Sequence, residues 1–450
     1  MSTSTVSNSE SSTSSFSNSR TPWGWLVWNE PNATVAIPLW STENGHVATI
    51  GRNDHCTVPV PPTLFENSLF QWISRQHCTL EKLREDGKFT IVNNSPIGTF
   101  VNGEQLNYFR TLPIDHGDVV ALCSAESAAS FTFYDNYHSY LGYHRDFNNR
   151  YLVLSIIASG MYGEVFRAIV KRNNSVVAIK TVHATTCGSP HACVMVNPRG
   201  VDALRNEISV LSQLEHPCIV KMLDSAGNWP SKRMFIVMEF HGGGDLQQRM
   251  FDFALFSEPN AKYWLVQMVS AIRYCHSRSP PIVHRNLNPT NVLLASADEF
   301  ATVKITDLGL SKLVNDDTVC KTYCGTPLYL APEVVPSVLR RPYTEAVDVW
   351  SIRVMLFLML SGYNPFDQSN HSASDSLSTS DYIARGNFWL NNKWNSVSLD
   401  GKTLVKQMLQ IDQKDRPKLK DILSSIWMTD SHVITKVNKI VFAATDTIHH

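Results

Sequence analysis

The 450-residue sequence has no Cys-x-x-Cys pair, no hydrophobic run long enough to span a bilayer and no surplus of either charge. Each absence excludes something. Its nine cysteines are odd in number, and the closest groupings, Cys187 with Cys193 and Cys320 with Cys324, do not build a paired Cys-x-x-Cys zinc framework. Reduced thiols in an intracellular protein are the expectation. The longest apolar run, 354–360, is far below the ~20 residues of a membrane helix. A net charge of −1 and a pI near 7.0 predict neither direct nucleic-acid binding nor an anionic membrane surface as partner. The polar N-terminus predicts no signal peptide. Ser-Gln and Thr-Gln pairs are almost missing, with Ser212-Gln213 the single instance. What is present, 43% hydrophobic and 18% charged residues, is enough for buried cores in two or three domains.

The chain changes character four times. Residues 1–21 form a Ser/Thr-rich stretch, with thirteen such residues among the first twenty, and predict a disordered tail. Residues 22–135 carry short runs such as HVATIGR, HCTLEKL, KFTIVNN and DVVALC, separated by Gly, Asn and Pro. β-Branched and aromatic residues alternate in them, the pattern of an all-β sandwich. Residues 136–150 read as a linker. From 151 the runs YLVLSIIASGMYGEVFRAIV and SVVAIKTV predict strands around a glycine loop, and VDALRNEISVLSQL, AKYWLVQMVSAIRYCH and AVDVWSIRVMLFLML predict helices. Strands first and helices later predict a two-lobed α+β domain over 151–428, with 429–450 as a C-terminal tail.

Within that second domain an ordered set of motifs carries chemistry. Gly160 and Gly163 lie in IASGMYGEV, Lys180 closes VAIK, and Glu207 falls on the next helix. MEFHGGGDL follows at 238–246, HRNLNPTN at 284–291, DLG at 307–309, APE at 331–333, and Arg416 lies in DQKDRP. A lone glycine loop is a weak signal, but the ordered set resembles the protein kinase signature. The resemblance implies a cleft for ATP and Mg²⁺. Ile157, Gly160, Gly163, Val165, Ala178, Met238, Glu239, His241 and Leu293 would line the nucleotide, and Lys180, oriented by Glu207, would hold its phosphates. Asn291 and Asp307 would hold Mg²⁺, while Glu333 and Arg416 would form a structural pair.

The departures from that signature are as informative. Asn286 stands at the catalytic-base position and Asn288 at that of the accompanying lysine. An asparagine carbonyl accepts a hydrogen bond but takes up no proton at pH 7 and carries no charge. A positioned base contributes ~10²–10⁴-fold, so phosphotransfer is expected to be impaired or lost. Ala158, Leu308, Thr290 and Arg353 replace the first loop glycine, a phenylalanine, a glutamate and a glycine of the signature.

In the first domain IGRN, SRQH and NNSPIGTFVNG occur in register on the β background. They resemble the forkhead-associated (FHA) domain, a sandwich that binds phosphothreonine. Arg52 would fork onto phosphate oxygens, Ser74 would donate a hydroxyl and Arg75 would add charge. His77 would buttress the loop, and Ile97 replaces the asparagine that holds the peptide backbone in this family.

An FHA domain preceding a kinase domain is similar to the checkpoint kinase 2 group. EHPCIVK, KITDLGLSKL, CGTPLYLAPEV and SGYNPF share in the likeness. The resemblance implies Ser/Thr kinase ancestry, a nuclear location, DNA-damage or cell-cycle checkpoint signalling, phosphothreonine-bearing partners, and dimerisation with itself or an active relative. Thr322 and Thr326 match its activation-segment threonines. The missing Ser-Gln cluster and the absence of a terminal basic cluster mark a diverged paralogue. Two functions follow as expectations: a phosphothreonine reader fused to a nucleotide-binding pseudokinase, or a slow Ser/Thr kinase acting on protein substrates.

Overall fold

The computed structural model describes residues 22–441 apart from 30–33, 44, 63–69, 84–86, 126–129, 137–144, 160–162, 183, 187–193, 197, 229–232, 254–255, 311, 314–326, 335–343, 368–377, 387–389 and 391. The predicted N-terminal tail, Gly160, Thr322 and Thr326 lie outside the described residues. The chain divides into two compact units, residues 1–152 and 153–450.

The first unit is a β-sandwich. Strands β1 (Gly24–Asn29), β2 (Thr34–Leu39), β3 (Val47–Gly51), β4 (Val58–Pro59), β5 (Cys78–Lys82), β6 (Phe89–Asn93), β7 (Thr99–Val101), β8 (Glu104–Leu106), β9 (Thr111–Pro113), β10 (Val119–Leu122) and β11 (Ser130–Asp135) form two sheets. One runs β2-β1-β11-β10-β7-β8 and the other β4-β3-β5-β6-β9. Trp23, Trp28, Ile50, Leu80, Ile91 and Phe131 fill the space between them. Sheet-on-sheet burial of alternating residues leaves the loops at the sandwich end free for other duties.

Residues 136–150, expected as a linker, are only partly so. Helix α1 (Arg145–Arg150) closes this stretch, because Phe147 is buried with its ring 5.4 Å from that of Tyr151.

The second unit has two lobes. Strands β12 (Tyr151–Ser159), β13 (Gly163–Val170) and β14 (Val176–Val182), with β17 (Met222–Asn228) and β18 (Arg233–Glu239), make a sheet ordered β12-β13-β14-β18-β17. A small hairpin, β15 (Ala184–Thr186) with β16 (Val194–Val196), lies in the insert before helix α2 (Pro198–Leu211). The helical lobe follows with α3 (Leu246–Phe253), α4 (Glu258–His276), α5 (Ala346–Ser361), α6 (Thr379–Arg385), α7 (Leu399–Met408), α8 (Leu419–Leu423) and α9 (Ser431–Val441). Nearly every residue of α5 is buried, so this helix runs through the lobe's core and its sequence is apolar all round. Ser257 caps α4, its hydroxyl accepting from the Asn260 backbone N–H at 3.4 Å.

The expectation of a plain tail from 429 is corrected by α9. Val433 and Val437, one turn apart, are both buried in the core of the lobe, with Ile440 packed against it. An apolar stripe of that spacing forms a helix once a core is there to receive it.

Candidate functional site

The chemistry-bearing side chains gather where the two lobes meet. Lys180 sits on β14, paired with Val165 on β13 and with Ile236 on β18. Its Nζ donates to Glu207 Oε2 at 2.6 Å and to Asp307 Oδ1 at 2.7 Å. Burial opposes the ammonium charge, but the two carboxylates outweigh it and raise the Lys180 pKa. Glu207, 1% exposed, is pushed up by burial despite its cation. Asp307 is pushed up by burial too, but Lys180 and the Asn286 amide outweigh that, and its pKa falls below the ordinary value.

Asp307 has φ 63°, a left-handed conformation that a non-glycine residue adopts only when its surroundings hold it there. Two groups do so. Leu308 is fully buried, and Asn206 on α2 donates through Nδ2 to the carbonyls of Leu308 at 3.3 Å and Gly309 at 3.2 Å. The substituted Leu308 thus packs, and Asn206 ties the helix of Glu207 to the segment carrying Asp307. Sequence reasoning did not single out Asn206, although it directly precedes Glu207.

Beneath these lies the 284–291 loop. Asp348 of α5 accepts from the backbone N–H of His284 and of Arg285, each at 2.9 Å, and His276 Nε2 donates to it at 2.8 Å. His284 Nε2 donates to the Thr306 carbonyl at 2.9 Å. In this frame Asn286 Nδ2 donates to Asp307 Oδ2 at 3.3 Å. The orientation is forced, since a carboxylate only accepts. Asn286 therefore spends its amide on a neighbour and offers the cleft no base. Its backbone carbonyl accepts from Asn291 Nδ2 at 2.8 Å and from Asn288 Nδ2 at 3.1 Å.

Asn288 is 4% exposed and turned back into its own loop. Its Oδ1 accepts from the Thr290 backbone N–H at 2.9 Å and the Thr290 hydroxyl at 2.6 Å. Two departures from the signature, Asn288 and Thr290, are thus one local device: a side-chain cap on the turn Pro289–Asn291.

The lobe-joining segment is braced. Glu239 Oε1 accepts from Lys304 Nζ at 2.6 Å and the Lys221 backbone N–H at 2.9 Å, with His241 Nε2 also 3.2 Å away. Burial alone would raise its pKa, but these donors lower it to about 2. Lys304 is another residue that sequence reasoning missed, since the partners lie 65 positions apart. Ala178 and Met238 are register neighbours and both buried, Leu293 is half-buried on the strand Val292–Leu294, and Ile157 is exposed at the end of β12. A Cβ on Gly243 would stand 2.2 Å from the Ser296 carbonyl, so only glycine fits where this segment meets the helical lobe.

Farther down, Glu333 and Arg416 form a buried bidentate pair at 2.5 and 2.6 Å. Arg353, which replaces a glycine of the signature, is fully buried nearby, and no nitrogen of its guanidinium has a hydrogen-bond partner among the described residues. Burial and the Arg416 charge both lower its pKa well below the ordinary value.

In the first unit, the β3–β4 and β4–β5 loops are stitched together. The Arg52 N–H donates to the Ser74 carbonyl and the Asn53 N–H to the Arg75 carbonyl, each at 3.1 Å. A Cβ on Gly51 would fall 2.3 Å from that same Arg75 carbonyl, so the close approach needs glycine. The geometry brings exposed Arg52, exposed Arg75 and half-buried Ser74 into one loop cluster. The Ser74 hydroxyl lies 2.7 Å from that of Ser95, a neighbour not anticipated from sequence. His77 is fully buried and neutral by geometry: Nδ1 accepts from the Ser74 N–H at 3.1 Å, so Nε2 carries the proton donated to the Gly98 carbonyl at 2.8 Å. Desolvation lowers its pKa in keeping with that. Ile97 is 37% exposed, an apolar side chain beside this polar cluster.

A sandwich with a stitched arginine loop and a two-lobed unit built round a Lys–Glu–Asp cluster define an FHA domain and a protein kinase domain. Comparison with known families agrees: residues 48–123 match the FHA domain and residues 151–428 the protein kinase domain. The chain is 37% identical over 346 residues to the ovarian-specific serine/threonine-protein kinase Lok of Drosophila melanogaster, covering 76% of this chain and 70% of that protein. It is 31% identical over 360 residues to the probable serine/threonine-protein kinase fhkD of Dictyostelium discoideum, covering 76% of this chain and 46% of that protein. To serine/threonine-protein kinase chk-2 of Caenorhabditis elegans it is 29% identical over 371 residues, covering 80% and 73%. The chain belongs to the checkpoint kinase 2-like FHA–Ser/Thr protein kinase family. No described helix is long and apolar enough to cross a membrane.

Proposed function

We propose that this chain is a phosphothreonine reader fused to a nucleotide-binding domain whose transfer of phosphate to protein is impaired or lost. The observation that carries the proposal is the Asn286 amide donating to Asp307. At that position the family's chemistry needs a group that accepts the substrate hydroxyl's proton. Its absence removes ~10²–10⁴-fold. The capped Asn288 removes a cation from the phosphate path, a further loss on the order of 10²–10³-fold that need not multiply with the first. Against this, Lys180 with Glu207 keeps the arrangement that orients nucleotide phosphates, and the hard oxygens of Asn291 and Asp307 suit Mg²⁺. Ala178, Val165 and Leu293 would enclose adenine, with Met238, Glu239 and His241 along its edge. In the FHA loop Arg52 and Arg75 would take the phosphate and Ser74 would add a hydroxyl.

Nuclear location, checkpoint signalling, activation-segment threonines at Thr322 and Thr326, and dimerisation with itself or an active relative are part of the same proposal, and rest on the family.

The test is a phosphotransfer assay on purified full-length chain, beside a variant carrying Asn286→Asp and Asn288→Lys. ATP should raise the unfolding temperature of the unmodified chain while its terminal phosphate stays untransferred to itself or to a generic peptide. The double variant should gain transfer. Clear turnover by the unmodified chain, abolished by Lys180→Met, would establish the second reading instead: a slow Ser/Thr kinase, which the Lys180–Glu207–Asp307 cluster favours.

A further inference from the structure

Both oxygens of Asp307 already hold donors supplied by the protein. Oδ1 accepts from Lys180 Nζ at 2.7 Å, and Oδ2 accepts from Asn286 Nδ2 at 3.3 Å. Asn291, the other residue suited to Mg²⁺, has its Nδ2 committed to the Asn286 carbonyl at 2.8 Å, which leaves only its Oδ1. Asn286 is itself held in place, because the same carbonyl also accepts from Asn288 Nδ2 at 3.1 Å. From these contacts we infer that Asn286 is a built-in competitor of the divalent cation, so that this cleft takes nucleotide with little dependence on Mg²⁺. The inference rests on the nucleotide-binding reading above and says which form of nucleotide that site takes.

Charge and geometry support it together. The formal charges of Lys180, Glu207 and Asp307 sum to −1, and Asn286 adds none. An aspartate at 286 would place a second carboxylate within hydrogen-bonding reach of Asp307. Two carboxylates so placed repel, and a dication between them relieves the repulsion. With an amide at 286, a donor already occupies one acceptor site of Oδ2, and a cation that binds this oxygen must crowd or displace it. Mg²⁺ sheds its water reluctantly and demands near-octahedral oxygen geometry, so such displacement is unfavourable. A metal-free nucleotide meanwhile meets one fewer negative charge than it would beside an aspartate.

The experiment uses full-length chain and follows thermal unfolding and ATP affinity in excess EDTA and in excess MgCl₂. The ATP affinity of the unmodified chain should differ by less than about threefold between the two, whereas Asn286→Asp should require Mg²⁺ by about tenfold or more. The same variant should bind Mg²⁺ more tightly without nucleotide. ATP stabilisation of the unmodified chain that vanishes in EDTA overturns this inference while leaving nucleotide binding standing. No stabilisation in either condition overturns both. A metal-independent Asn286→Asp protein would assign the property elsewhere in the cleft and so also overturn it. If Asn286→Asp does not fold, Asn286→Ala, which removes the donor without adding charge, should shift the requirement in the same direction by a smaller factor.

Discussion

Arg52 and Arg75 on the FHA loop and Lys180 in the kinase cleft are the cations proposed above to meet phosphate, but they stand in opposite states. The two arginines are exposed, and neither guanidinium has an ion pair or hydrogen bond among the described residues. Lys180 is held by two carboxylates at 2.6 and 2.7 Å. An arginine fork in water can take a dianion without breaking anything, so its contribution appears in affinity. A lysine between carboxylates is a positioning device: it pairs with buried Glu207 and fixes Asp307, and any phosphate must share it. Arg353 is a third state, a buried guanidinium with no hydrogen bond among the described residues and with the Trp350 ring 5.9 Å away beside it. The reader loop thus keeps its charge available, while the cleft has committed its charge to structure.

The strongest way to break this comparison is Lys180→Met. Glu207 would lose its cation while buried, which destabilises by about 3–5 kcal/mol in such settings. The kinase-domain unfolding temperature should fall and ATP stabilisation should disappear, with phosphothreonine-peptide binding unchanged. If unfolding is unmoved, the triad is not a structural device. Arg52→Ala is the mirror test. It should weaken phosphothreonine-peptide binding by about 1.5–3 kcal/mol, the range for charge-assisted hydrogen bonds, with no change in kinase-domain melting. Equal peptide affinity in a titration would remove Arg52 from the site. The smallest effect should come from Arg353→Met, which keeps bulk and removes a buried charge. Stability should rise by about 1–2 kcal/mol in a denaturant titration, and a loss would mean that the guanidinium supports Glu333 beside Arg416.

Much of the fold was legible because period and punctuation survive in short runs. HVATIGR and KFTIVNN alternate as β3 and β6 do, and AVDVWSIRVMLFLML is apolar all round because α5 is a core helix. The helix at 431–441 was misread as tail since its stripe, Val433 and Val437, is brief and gains stability only against the completed lobe. Phe147 in α1 is the same case on a smaller scale. The ordered kinase motifs pointed to Lys180, Glu207, Asp307 and Asn291 without coordinates, and the fold brings the first three within 2.7 Å of one another through the Lys180 ammonium. Asn206, Ser95 and Lys304 were not legible. Each acts through a partner distant in sequence, and an asparagine, a serine or a lysine is too common to stand out alone.

That positions 286 and 288 carry neither a base nor a cation was determined by the sequence alone, since neither amide can ionise whatever surrounds it. Where those amides went was decided only by the tertiary structure. Asn286 lies 21 positions from Asp307, and nothing local says that its Nδ2 meets Oδ2. Asn288 turns onto Thr290 because the fold buries it, and a buried amide must find partners within the protein. Chemical capacity resides in residue type, whereas its commitment depends on which groups the packed chain brings within about 3 Å.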